Sequence, residues 1–231
     1  MVYIACRGIM YDMDGTLVDT TVCVESAWKQ KASQYGLDGD ELIKHIHGRK
    51  CLETLREFFP PECHSEEFAK DFENEFVNVT EGIRAIPGTH DALSALSTDM
   101  WAVVTSASRM WAQTRMNQVG LPAPKVMIAA DDVKKGKPDP EGFLAAAKAL
   151  DISIEGFVVF EDAVNGVKAA IEAGCMVIGV VTTTTKEALL EAGCVYAIND
   201  LTEVKVVKRG CYLTIELDRS EPPSFPPRKR R

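Results

Sequence analysis

Ile9-Met10-Tyr11-Asp12-Met13-Asp14-Gly15-Thr16-Leu17-Val18 decides how this chain is read. An apolar run over residues 2–11 has the composition of a buried β-strand, and it stops on two aspartates one residue apart, followed by a turn glycine. On an extended backbone, side chains at i and i+2 point the same way, so Asp12 and Asp14 would repel unless a cation lay between them. A hard divalent ion such as Mg2+ answers that need, because it takes oxygen ligands, retains waters and fills its shell with substrate phosphate. Gly15 supplies the free φ of a sharp turn, and the Thr16 hydroxyl can hold the turn by a local hydrogen bond. The plainer reading of the same residues is a solvated Asp-Gly turn closing a strand.

Outward from this strand the periodicity becomes helical. Val24, Trp28, Ala32 and Tyr35 form one stripe before Gly36, and helical stretches follow at 40–47, 52–59 and 65–79, the last opening on the capping signal Ser65-Glu66-Glu67. From Pro87-Gly88 onward, short Val- and Ile-rich runs at 101–105, 126–130, 157–160, 176–181 and 196–198 alternate with alanine-rich helices such as 141–150 and 165–173. Such alternation predicts an α/β fold with a parallel sheet covered on both faces and an all-helical unit inserted after the first strand. The boundaries it implies are residues 1–16 and 86–220 for the core and 17–85 for the insertion. Residues 204–207 and 212–217, split by Lys208-Arg209-Gly210, predict a hairpin, and the proline-rich, basic stretch 221–231 has the composition of a disordered tail.

At 231 residues the chain is long enough to bury a substantial core. Its 46% hydrophobic and 26% charged residues exclude wholesale disorder, and a net charge of −8 argues against a nucleic-acid partner, which would demand basic patches. Seven scattered cysteines without a C-x-x-C pair suit free thiols in a reducing, cytoplasmic setting. The N-terminal apolar run is too short, and too soon followed by acids, for a signal peptide or a membrane span, so no membrane partner is expected. No feature demands an oligomer, and a monomer is the expected state.

In an open parallel sheet, ligands bind beyond the carboxyl ends of the strands. Four such ends carry polar residues: Asp12 and Asp14; Thr105-Ser106, whose hydroxyls and amides suit a phosphate oxygen; Lys137 in a proline-stiffened loop, Lys137-Pro138-Asp139-Pro140; and Glu161-Asp162, backed by Asn165-Gly166. Each alone has an ordinary explanation as a turn or a surface loop. Together, four acids at two strand ends require a cation among them.

The order aspartate pair, Thr/Ser, Lys-Pro, acidic pair resembles the four motifs of the haloacid dehalogenase-like phosphohydrolase superfamily, over residues 9–166. The inserted helices look like that superfamily's helical cap, and the core like its Rossmann-like sheet. Asp19 to Val22, Glu25 to Trp28, Glu41 to Gly48, Arg56 to Pro60, Trp101 to Ser106, Gly136 to Gly142 and Asp200 to Val204 further resemble the fungal 2-deoxyglucose-6-phosphate phosphatases and their glycerol-3-phosphatase relatives.

The resemblance implies Mg2+-dependent hydrolysis of small sugar or polyol phosphates. Asp12 would be the nucleophile that forms an aspartyl-phosphate, and Asp14 the general acid and base. Asp12, the backbone carbonyl of Asp14 and Asp162 would hold the metal, with Glu161 acting through a water. Gly15, Thr105 or Ser106, and Lys137 would receive the phosphoryl group, and His47 and Arg49 of the cap would meet substrate. A β-phosphoglucomutase-type phosphosugar mutase shares the aspartate pair and stands as the alternative. From other classes come a dehalogenase and a non-catalytic sugar-phosphate-binding regulatory protein.

Overall fold

The apolar run 2–11 folds as two strands, β1 (Val2–Cys6) and β2 (Gly8–Tyr11), where composition predicts one. In β1, Ile4 and Cys6 are buried while Tyr3 is 65% exposed, the alternation of a strand with one wet face, whereas β2 is buried throughout. Arg7, whose amide donates to the Gly156 carbonyl at 2.7 Å, is where the chain passes from one sheet to another. Tyr3 and Ala5 are apolar enough to hide that alternation in the sequence.

After β2 the chain forms β3 (Val18–Asp19), the helices α1 (Thr21–Gln34), α2 (Gly39–Leu42), α3 (Cys51–Phe58) and α4 (Glu66–Phe76), and then β4 (Arg84–Ala85), which pairs antiparallel with β3. These helices bury Ala27, Trp28, Leu55, Phe59 and Phe72 in an apolar cluster of their own. Where a helix over 40–47 is expected, α2 makes a single turn capped by the Asp38 carboxylate, and a 3-10 turn at Ile43–His45 follows. The α4 start agrees with its capping signal, the Ser65 hydroxyl accepting from the Phe68 amide at 3.0 Å.

The remainder runs α5 (Thr89–Ser94), β5 (Trp101–Val104), α6 (Arg109–Gln118), β6 (Val126–Ile128), α7 (Glu141–Leu150), β7 (Phe157–Glu161), α8 (Val164–Ala173), β8 (Met176–Val180), α9 (Lys186–Ala192), β9 (Tyr196–Ile198), β10 (Val204–Arg209) and β11 (Tyr212–Leu217). Six strands form a parallel sheet in the order β6-β5-β2-β7-β8-β9. Successive side chains alternate between its faces, so Ile9, Tyr11, Val103 and Phe160 enter one apolar layer and Met10, Ala102, Val104 and Val159 the other. The predicted hairpin is β10–β11, and β1 adds to its outer strand to make a three-stranded antiparallel sheet.

Sheet order positions the site. From β2 the chain goes to β5 and β6 on one side, then returns to β7, β8 and β9 on the other, so a crevice opens at the carboxyl end of β2. Tyr11 pairs in register with Phe160, and their rings stack at 5.2 Å between centroids. That register sets Asp12, whose amide donates to the Phe160 carbonyl at 3.0 Å, beside Glu161.

The protein's computed structural model describes residues 1–218; the tail expected at 221–231 lies outside the described residues. All seven cysteines are free thiols. Among the described residues, no helix is long and apolar enough to cross a membrane.

Candidate active site

Asp12, Glu161 and Asp162 are all buried, and one ammonium serves the first two: Lys137 Nζ donates to Asp12 Oδ1 at 2.6 Å and to Glu161 Oε1 at 2.5 Å. Charge balance among the acids thus falls partly to Lys137. Burial works to lower the lysine's pKa, and Asp12 and Glu161 outweigh it and raise it, so the side chain stays charged. The loop that presents it is stiffened by Pro138 and Pro140, the latter standing immediately before α7. Glu161 also accepts from the Ala163 amide at 2.8 Å, which engages both of its oxygens. Asp12 Oδ2 carries no hydrogen bond from the described residues.

Burial raises the Asp12 carboxyl well above the ordinary range; Lys137 opposes the shift, and Glu161 and Asp162 reinforce it. Burial, with Glu161 adjacent, likewise pushes Asp162 up to about 7. Asp162 is held by two hydroxyls, Thr16 Oγ1 donating to Oδ1 at 2.9 Å and Thr183 Oγ1 to Oδ2. The Thr16 hydroxyl therefore spans to the residue after β7 and does not make the local turn bond expected of it. Gly15 carries the turn at φ +83°, and a Cβ there would overlap the Asp162 carboxylate, so both its backbone angle and its size are required.

Asp12 and Asp14 both line the site, but they lie beyond the end of the strand and not on a continuing extended backbone. The strand ends at Tyr11 and the chain turns at Met13, whose carbonyl accepts from Leu17 and Val18. Asp14 Oδ1 instead accepts from Thr20 Oγ1 at 2.6 Å and from Trp111 Nε1 at 3.1 Å. Burial lifts its pKa, while those two hydrogen bonds, then Arg115 and His47, hold the rise in check. Its environment thus favours the protonated form more than water does, which suits a group that gives and takes a proton.

Asp12, Asp14, Gly15 and Ser106 open into a cleft of about 800 Å3, partly continuous with solvent, whose other wall comes from α1, α4 and the 46–51 segment. Ser106 Oγ donates across to the Gly48 carbonyl at 3.1 Å, and Lys50 Nζ and Glu53 bind the Val133 carbonyl and the Gly136 amide, so the inserted helices rest on the core beside the site. Thr105 is buried behind the cleft, its hydroxyl accepting from the Ala107 amide at 3.1 Å. His47 and Arg49 do line the cleft, but His47 Nε2 lies 3.3 Å from Glu25 and Arg49 pairs with Glu57 at 2.5 Å. Both side chains are thus engaged within the insertion. Trp28 lies in the insertion's apolar cluster.

Three contributors escaped the sequence reading. Thr183 follows β8 in the run Thr182-Thr183-Thr184-Thr185, and the strand-end rule that found the other positions applies to it as well. Trp111 and Glu73 carry no local signal, because a helical tryptophan and a helical glutamate read as core and surface.

The fold and this pocket define a class, that of doubly wound α/β enzymes with an acid-lined site at the switch point of the sheet. Residues 9–180 match the model of the haloacid dehalogenase-like hydrolases, and the chain belongs to that family. It is 38% identical over 225 residues to 2-deoxyglucose-6-phosphate phosphatase 1 of Saccharomyces cerevisiae, covering 86% of this chain and 89% of the yeast protein. It is also 38% identical over 208 residues to hexitol phosphatase A of Escherichia coli, covering 88% and 95%. Among solved structures, a hydrolase from Pseudomonas syringae shares the fold at a TM-score of 0.76 and 24% identity, over 84% of this chain and 94% of the other.

Proposed function

We propose that this protein hydrolyses the phosphomonoesters of small sugars or polyols, carrying the phosphoryl group on Asp12 and using Mg2+. The observation that carries the reading is Asp12 itself, a buried carboxylate with one oxygen on Lys137 and the other free. Relatives named for sugar-phosphate and hexitol-phosphate hydrolysis support it.

Asp12 Oδ2 attacks phosphorus as the P–O bond to the sugar breaks, and Asp14 gives its proton to the departing alkoxide. Water then attacks the aspartyl-phosphate, Asp14 takes the proton back, and inorganic phosphate leaves. Lys137 holds the nucleophile in place and offers its charge to the phosphoryl oxygens, with the Ser106 hydroxyl beside the same cleft. Residues 17–85 act as a cap that closes over the reaction and excludes water.

The donor set fits a divalent cation. Three buried carboxyls face a single ammonium, so full ionisation leaves two negative charges uncompensated. No three His, Cys, Asp or Glu side chains form a ready metal cluster among the described residues, and the proposed set needs only two, Asp12 and Asp162, with the Asp14 main-chain carbonyl. Glu161, with both oxygens engaged, is left to act through water. When bound, Mg2+ supplies the positive charge that draws the phosphate ester to these acids and offsets charge on the transferring group.

Phosphate release from a panel of sugar and polyol phosphates, with Mg2+ and without any bisphosphate activator, tests the reading and separates a hydrolase from a mutase. Asp14→Asn should cut turnover by about 10²- to 10⁴-fold. Phosphate trapped on a residue other than Asp12 would overturn the mechanism.

A further inference from the structure

The proposed mechanism leaves one group in the cleft unused. Glu73, on α4, lines the same space as Asp12 and Asp14, and its Oε2 is buried without a hydrogen-bond partner. A buried acceptor left unmade is costly, so a polar atom of this kind in a ligand cavity marks the place where a ligand supplies the missing donor. The neighbouring basic side chains do not fill that role: Arg49 and His47 are turned to Glu57 and Glu25, and Arg115 to the carbonyls of Phe76, Val77 and Val79. The surrounding wall is apolar, made by Val24, Ala27, Trp28, Phe72 and Phe76.

We propose that Glu73 is a specificity-determining residue, whose free carboxyl oxygen accepts a hydrogen bond from a hydroxyl of the substrate's leaving group. Resting on the phosphatase reading above, this narrows the substrate class to phosphate esters of uncharged polyhydroxy compounds. An ionised carboxylate offers only acceptor oxygens, so it welcomes an O–H and repels a second anion. Phosphorylated carboxylic acids and bisphosphates are therefore disfavoured, while the apolar wall receives the carbon chain. Burial, opposed by hydrogen bonding to Ser108, pushes the Glu73 carboxyl up to about 7, so it carries its full charge only above neutral pH. Discrimination that rests on such a bond is large, because losing either partner leaves the other buried and unpaired.

The test compares kcat/KM of wild type, Glu73→Gln and Glu73→Met at pH 8 with Mg2+ on three substrates: a hexitol 6-phosphate, p-nitrophenyl phosphate, which has no hydroxyl on its leaving group, and 3-phosphoglycerate. In both variants the ratio of hexitol phosphate to p-nitrophenyl phosphate should fall by about tenfold or more, chiefly through KM, and the relative rate on 3-phosphoglycerate should rise. The second variant serves if one of them fails to fold. An unchanged ratio overturns the assignment of Glu73 even where the enzyme is an active phosphatase. Absence of phosphate release by wild type from every substrate overturns the phosphatase reading, and this inference with it.

Discussion

Trp111 Nε1 donates to Asp14 Oδ1 at 3.1 Å, and the indole ring that makes this bond is covered by the Arg115 guanidinium, 3.9 Å from its centroid. Arg115 in turn binds the carbonyls of Phe76, Val77 and Val79 at the end of α4. The last turn of the inserted helices and the carboxyl of Asp14 are thus tied through two side chains of α6.

Because the indole hydrogen bond favours the ionised form of Asp14, Trp111→Phe should raise the pKa of that group. A net hydrogen bond is worth roughly 1 kcal/mol and one pKa unit corresponds to about 1.4, so the limb of the pH–rate profile that reports Asp14 should move upward by somewhat under one unit. Profiles of kcat for wild type and variant measure the shift, and a downward move contradicts the donor role.

Lys137→Met leaves Asp12 and Glu161 without their ammonium in a buried site. Breaking such a pair costs about 3–5 kcal/mol. Without the lysine, the native acids hold protons to a higher pH than in the unfolded chain, so stability falls as pH rises above the usual carboxylate range. Urea titrations should therefore find a large loss at pH 8 that shrinks toward pH 5. An equal loss at both values would mean that packing, and not charge, is what the lysine contributes.

Gly15 and Gly36 both have positive φ, +83° and +68°, yet a Cβ at Gly36 meets nothing within 4 Å while one at Gly15 would strike Asp162. Gly36→Ala should cost about 1 kcal/mol, from backbone strain alone. Gly15→Ala adds overpacking, for a total of roughly 2–4 kcal/mol, and should displace the Asp162 carboxylate as well. Denaturant midpoints of the two variants decide the matter, and equal costs would remove the close approach from the account.

Magnesium should stabilise the protein, and more so at high pH. Ligand at a hundredfold excess over its Kd contributes about 2.7 kcal/mol, or very roughly 5–10 °C in Tm for a chain of this size. Asp162 titrates near 7 and Asp12 is also raised, so below that range protons compete for the ligand oxygens. The rise in Tm on adding MgCl2 should be full at pH 8 and less than half of that at pH 5.5. A shift that does not change with pH would place the ion elsewhere.

The parallel α/β architecture was legible in the chain because hydrophobic periodicity is a local property. β5, β7 and α7 lie within a residue of where alternation puts them. The break at Arg7 was not legible, since both sides of it are apolar and only the pairing of β1 with β11 reveals a second sheet. The acids at the ends of β2 and β7, the hydroxyls after β5 and the Lys-Pro loop could be picked out because a charge or hydroxyl at the end of an apolar strand is conspicuous in one dimension.

What the linear order of residues determined by itself was therefore the kind of fold and the positions at which polar groups interrupt it. Only the tertiary structure decided how those groups pair: Lys137 with Asp12 across 125 positions, Thr16 with Asp162 across 146, Trp111 with Asp14 across 97, and one oxygen of Glu73, Oε2, left without a partner. The reason is physical. Strand and helix follow from neighbours along the chain, whereas the partner of a buried charge depends on sheet order and helix packing, which bring together residues that no local pattern connects.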